Sequence, residues 1–126
     1  PQAGLFGSVS GVADWGLAVR SMYRGKPAWL KAATLKKFTA QAIPSEMGDW
    51  GLGFVRPTPG GSTSGKYFSP RSFGHTGFTG TSFWMDPQRD LFVVILSNRI
   101  HPTQKNEEFK KWRPQLHDWV VEALEK

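Results

Sequence analysis

The chain has 126 residues, 39% apolar and 21% charged, which suits one folded unit with a real hydrophobic core and excludes a disordered segment. It contains no cysteine, so disulfides, thiolate metal sites and a cysteine nucleophile are excluded. Against 10 Asp and Glu stand 16 Lys and Arg, a net charge of +6, but the basic residues are scattered, with short pairs at Lys36-Lys37 and Lys110-Lys111, so no nucleic-acid partner is expected.

The longest apolar run, residues 91–96, is far too short to cross a bilayer, so no transmembrane segment is expected in this chain. No signal-peptide pattern is visible and the first residue is Pro1 rather than Met; an upstream part is expected to have been removed or left out.

Ser10 is a good N-cap for a helix over residues 10–24, with Val12, Trp15, Val19 and Met22 on one face and Gly25-Lys26-Pro27 ending it. A second helix is predicted over 28–38, with Trp29, Ala33 and Phe38 on one side. Residues 44–48 read as loop. From Trp50 the period changes: 51–56 reads as a strand that Pro57 stops, and 58–70 as a Gly/Ser/Pro-rich loop. Short strands follow at 72–76 and 81–85, then a turn at 86–90 and a strand at 91–97 whose apolar run suggests burial on both faces. The last two strands look like a hairpin, hence an antiparallel sheet. Pro114 suits the first turn of a helix, so the last helix is expected to start near Arg113 and to bury Leu116, Val120, Ala123 and Leu124. The order of elements predicts an α+β fold, an antiparallel sheet with flanking helices.

Two patterns match and fail. Residues 60–66 read GGSTSGK, a phosphate-binding loop up to its last place, where Tyr67 replaces Ser or Thr. Such a loop needs a helix after it, because the helix N-terminus holds the phosphate, and here Ser69-Pro70 and a strand follow. His75, His101 and His117 lack metal-ligand spacing and a nearby acidic cluster, so no metal and no cofactor is expected. His117 reads as a surface or boundary residue on the last helix.

The segment Phe73-Gly74-His75-Thr76-Gly77-Phe78-Thr79-Gly80 is different. Glycines this dense weaken a strand, and close approach of a ligand or a second backbone is one reason to tolerate them. A glycine-kinked strand with a solvated histidine is the bland alternative. From Phe73 to Pro102 the sequence resembles the region around the third motif of the penicillin-recognising serine hydrolases, above all the class C β-lactamases with their esterase and D-amino-acid peptidase relatives. Gly4-Leu5-Phe6, the helix carrying Asp14, and Trp50-Gly51-Leu52-Gly53-Phe54 match in the same order. The resemblance covers nearly the whole chain.

That family works through SxxK, YxN or YxS, and a Lys-Thr-Gly strand, which here becomes His75-Thr76-Gly77. The resemblance implies that Thr76 hydrogen-bonds substrate, that Gly77 lets substrate lie along the strand, and that the Phe78 backbone N–H supplies half of an oxyanion hole. His75 is implied to face the catalytic network. No SxxK occurs in the sequence, and Tyr67-Phe68-Ser69 stands too close to the third motif to be the second, so Tyr67 reads as a loop residue. The resemblance therefore implies that residues 1–126 form a single C-terminal fragment, holding a substrate edge without the nucleophile. A lysine at position 75 is a permanent cation for a substrate carboxylate, whereas an imidazole is largely neutral at physiological pH. Ile100 lies where class C β-lactamases carry polar carboxylate-binding groups. Both departures favour an ester- or peptide-hydrolysing parent over an efficient β-lactamase. The rival is a non-catalytic module whose basic surface holds an anionic envelope polymer. The resemblance implies the bacterial periplasm or cell envelope, a small-molecule or peptide substrate, and a chain paired with its own N-terminal fragment or with a copy of itself. The pairing is expected because, without the N-terminal part, the strand at 91–97, central in the family's sheet, loses partners and leaves apolar faces around Phe83, Phe92 and Val94 to water.

Overall fold

A computed structural model describes residues 4–125. Three helices and a three-stranded antiparallel sheet form the α+β fold expected, in the order α1 (Val9–Tyr23), α2 (Ala32–Thr39), β1 (Phe73–Thr76), β2 (Ser82–Asp86), β3 (Leu91–Ile95) and α3 (Glu108–Leu124). The sheet order is β1-β2-β3, so β2 is central and β3 has one strand partner among the described residues. No described helix is long and apolar enough to cross a membrane.

Ser8, not Ser10, caps α1: its Oγ accepts from the Gly11 N–H at 3.1 Å and its carbonyl from Val12. Ser10 already lies inside the helix, its hydroxyl bonded to that of Ser8. Gly25 ends the helix at φ +86°, with its N–H on the Met22 carbonyl and that of Lys26 on Ser21, the paired closure a left-handed glycine permits. Val19 and Met22 are buried as expected, and Gly16 joins them because α1 crosses β3 there; a Cβ would stand 2.8 Å from the Phe92 ring. Trp15 packs edge-on against Phe83, whose ring stacks on Phe92. Phe83 and Phe92 are thus half-buried under α1 rather than left to water.

The second helix begins later than predicted. It turns Leu35 and Thr39 inward, while Trp29 lies outside it and Phe38 is exposed. Residues 45–47 form one 3-10 turn in the expected loop. The strand predicted at 51–56 is replaced by a tight turn, with the Gly51 N–H on the Phe54 carbonyl at 2.8 Å and Gly53 at φ +88°. Only Val55 pairs with the sheet, through two backbone bonds to Gly74. The β2–β3 hairpin has the expected form, with Trp84 opposite Val93 and Phe83 opposite Val94. One core lies under α1 and α2, from Val19, Met22, Leu35, Phe73 and Met85; another lies under α3, from Phe68, Trp84, Val93 and Val121.

The last helix departs most from its prediction. It starts at Glu108, and Pro114 lies inside it. The proline removes one helical donor, but Phe109 packs on Gly80 and Arg113 is buried, so tertiary contacts hold the turns before it. Arg113, His117, Asp118 and Val121 face inward, whereas Val120 and Leu124 are exposed. Each inward polar group reaches a different part of the fold. His117 Nε2 and Ser82 Oγ share a 2.9 Å hydrogen bond, and Asp118 accepts from the Lys66 N–H at 2.7 Å. That carboxylate leaves no room at Gly65 and takes a backbone donor from the GGSTSGK loop, which is a strap bound to α3. The Tyr67 hydroxyl, in the same loop, donates to Glu122.

His117 is fully buried, not a boundary residue, and burial, with the charge of Arg113 adding to it, pushes its pKa down to about 4. In the unfolded chain the imidazole protonates near its ordinary value of 6.5. Between those values the unfolded state binds a proton that the folded state refuses, so stability is complete above 6.5 and falls as pH drops toward 4. The loss from this one group is expected to reach about 3 kcal/mol. Urea titrations at neutral pH and near pH 4.5 should show it. His117→Leu should flatten the acid branch relative to the parent; equal acid sensitivity in both proteins would remove His117 as the cause.

Candidate functional site

β1 pairs with β2 in the register Phe73 to Met85, Gly74 to Trp84, His75 to Phe83 and Thr76 to Ser82. Successive side chains alternate between the sheet's faces. Phe73 enters the core under α1, against Tyr23 and Phe54, and His75 follows it on that face as an exposed residue 5.9 Å from the Trp50 ring. Its Nδ1 lies 2.9 Å from the Thr76 carbonyl. Gly74 and Thr76 occupy the face toward α3. At Gly74 a Cβ would meet the Phe83 carbonyl oxygen and, at 2.6 Å, the Trp84 indole, which is why this strand carries glycine there.

After Thr76 the chain makes a closed loop. The Gly77 N–H donates to the Thr81 carbonyl at 2.8 Å, and the Gly80 N–H to the Gly77 carbonyl at 3.0 Å. Gly80 has φ +98°, and a side chain there would meet the Phe109 ring at 3.0 Å. The Gly77 carbonyl is therefore turned into the loop. In a trans peptide the following N–H points the opposite way. That N–H belongs to Phe78, and it has no hydrogen-bond partner among the described residues. A short strand thus ends in an outward-facing, uncommitted backbone donor.

Arg99 holds this loop from behind, a residue the sequence does not single out. Its side chain is 1% exposed. Its Nε donates to the Phe78 carbonyl at 2.8 Å and its Nη1 to the Asn106 carbonyl at 2.8 Å, while its backbone N–H donates to Thr79 at 2.9 Å. The guanidinium lies 4.9 Å from the centroid of the Phe78 ring. Ser97 Oγ donates to the same Thr79 carbonyl. The signal missed is an arginine four residues after the apolar strand β3, where a buried cation needs carbonyls around it.

The structure brings His75, Thr76, Gly77 and Phe78 together at the end of β1, while His101 and His117 lie elsewhere, after β3 and inside α3. Ile100 follows Arg99 and is half-buried.

The Beta-lactamase family model matches residues 1–114, and the chain belongs to that family. It is 33% identical over 138 aligned residues to the "Putative D-alanyl-D-alanine carboxypeptidase" of Escherichia coli K12, covering 97% of this chain and 30% of the relative. A protein of the same name from Salmonella paratyphi B is 37% identical over 78 residues, 58% of this chain and 17% of the relative. Among solved structures, a beta-lactamase from Mycobacterium bovis superposes with a TM-score of 0.68 at 26% identity, over 89% of this chain and 43% of that one. The chain therefore spans under half the length of each of these proteins.

Replacing Arg99 with alanine leaves the Phe78 and Asn106 carbonyls without their charged donor. Hydrogen bonds of this kind contribute about 1.5–3 kcal/mol each, so a stability loss of that order is expected in urea. Amide exchange at Phe78 and Thr79 should accelerate beyond what the global loss explains. Uniform exchange changes across the sheet would show that Arg99 does not fix the loop in particular.

Proposed function

We propose that the chain is the C-terminal part of a serine hydrolase that acts through an acyl-enzyme on esters, β-lactams or D-amino-acid peptides. The observation that carries this reading is the uncommitted Phe78 N–H at the end of a His75-Thr76-Gly77 strand. Substrate lies along β1, where Gly77 presents no side chain and the Thr76 hydroxyl meets a polar substrate group. The Phe78 N–H receives the carbonyl oxygen as negative charge develops on it; one such donor contributes about 3–4 kcal/mol to the transition state. His75 faces the nucleophile's network from the exposed side of the strand. Membership of the family and the carboxypeptidase name of the Escherichia coli relative support the reading. The same name supports an envelope location, which we take to be the periplasm.

The sequence holds no SxxK. Serine, lysine and tyrosine must come from another part of the parent polypeptide, and the partner we infer for this chain is that part, or failing it a second copy. Alone, the chain should turn over neither a chromogenic short-chain ester nor a chromogenic cephalosporin above buffer rates. Addition of the parent's N-terminal portion should restore hydrolysis. Saturable turnover that co-purifies with the 126-residue chain through successive columns would overturn this division of labour.

In the complete enzyme, His75→Lys should favour carboxylate-bearing β-lactams over neutral esters. The restored fixed charge is expected to contribute on the order of 1 kcal/mol, about fivefold in the ratio of kcat/KM values. His75→Asn, which adds no charge, should leave the ratio near the parent's. A ratio unmoved by lysine would remove electrostatics as the role of position 75.

A further inference from the structure

The edge from His75 to Phe78 carries an aromatic ring at each end, and neither ring belongs to a core. At one end the Phe78 side chain is 63% exposed and lines the same open space as Thr76 and Gly77. Arg99 holds it from behind: the guanidinium lies against the ring, and its Nε donates to the carbonyl of the same residue. One side of the ring is thus occupied by a buried cation and the rest is left to solvent. At the other end stands Trp50, 42% exposed and tilted against the His75 imidazole. Its backbone is pinned on both sides, since its carbonyl accepts from the Ala42 N–H at 2.7 Å and it bridges to Val55. The indole leans on Gly48, where a Cβ would stand 3.0 Å from it.

A single exposed aromatic side chain needs no explanation. Here two rings are held in place beside one four-residue edge, and aromatic surface that is already ordered binds at little cost in conformational entropy. Covalent geometry adds a stricter constraint. The N–H and the ring of Phe78 hang from one α-carbon. A carbonyl whose oxygen stands about 3 Å from that N–H carries its substituents within reach of the ring's open side. The α-carbons of residues 75 and 78 are at most about 10 Å apart along the chain. A substrate lying on this edge therefore passes both rings within the span of one small acyl compound, with the polar groups of His75 and Thr76 between them.

We propose that Phe78 and Trp50 are the specificity-determining side chains of this edge, a bracket that takes an aryl or medium-chain alkyl arm of the substrate. Phe78 acts here through its ring, apart from its N–H. The inference rests on the hydrolase reading and narrows it: the preferred substrate is an ester or amide whose scissile carbonyl bears such an arm, and a bare acetyl compound is a poor one.

The test uses the complete parent enzyme and two probes. The first is a pair of alkyl thioesters, phenylacetyl and acetyl, compared by kcat/KM. The phenylacetyl compound should be favoured roughly tenfold. Phe78→Ser and Trp50→Ser should each reduce that preference severalfold, and Trp119→Ser, on the outer side of α3, should leave it unchanged. If Phe78→Ser fails to fold, Trp50→Ser decides. The second probe needs no turnover. N-benzylacetamide, but not N-methylacetamide, should shift the Phe78 ring and Trp50 indole N–H resonances saturably. An enzyme that hydrolyses neither thioester but shows these shifts would keep the bracket and remove the hydrolase reading. No benzyl-specific shift, or a preference indifferent to both serine variants, would overturn the bracket. So would rings already shielded from a soluble paramagnetic agent in the ligand-free enzyme, because the rest of the parent polypeptide would then be their cover.

Discussion

The bare α-carbon of Gly74 rests on the indole of Trp84, and the carbonyl of Phe83 closes the space beside it. β1 has four residues and pairs fully only with β2, so hydrogen bonds alone fix it weakly. The packing of Trp84 supplies the rest. That indole is fully buried, lies edge-on to Phe68, and shares its core with Val93 and Val121. Truncating such a side chain typically costs about 3–5 kcal/mol, a large part of the stability of an ordinary domain. One contact therefore sets the spacing of sheet and α3, and through β1 it sets where His75, Thr76 and the following loop stand.

Much of this was legible in the sequence, for identifiable reasons. The β2–β3 hairpin announces itself by an apolar run on each side of a polar turn, and α1 by its helical spacing of Val12, Val19 and Met22. The His75-Thr76-Gly77 edge was legible through its glycines and its family likeness. The inward face of α3 was not. Periodicity weighs apolar residues, and Leu116, Val120 and Leu124 outvoted Arg113, His117 and Asp118. His117 and Asp118 are buried with partners, Ser82 and Lys66, that lie more than thirty residues away in sequence, and Arg113 keeps one long bond to the equally distant Thr81. Pairwise satisfaction across such distances leaves no local trace. Arg99 was missed for the same reason, since its acceptors are backbone carbonyls that any sequence possesses. The strand at 51–56 failed differently: with glycine at 51 and 53, turn geometry defeats pairing beyond Val55.

Apolar groups also stand outside both cores. Trp112 and Trp119 lie with ring centroids 5.8 Å apart on the outer side of α3, and Leu5 and Phe6 are almost wholly exposed. Among the described residues β3 has one strand partner, and Leu96 just past it is exposed. Single exposed apolar residues need no explanation, but a helix face with paired tryptophans together with an open sheet edge does. Under the proposal that the parent's N-terminal portion packs here, both features have one cause: the surfaces are internal in the complete protein, which is about three times as long in the Escherichia coli relative.

The distribution of charge points to the same end of the sheet by an independent route. Asp90 engages Arg20 and Arg24, Glu125 engages Arg89, Glu108 engages Lys111 and Glu122 lies near Lys66. All of these pairs are solvent-accessible, where an ion pair contributes at most about 1 kcal/mol. Asp86 and Asp118 are buried, but they accept mainly backbone donors, and Arg113, the most buried cation after Arg99, has no carboxylate partner among the described residues. A fold selected only for stability would exchange such a residue for an apolar one, since a buried charge without a partner is a net cost. Its place among the residues that line the space at Thr76 and Phe78 puts that cost at the end of β1.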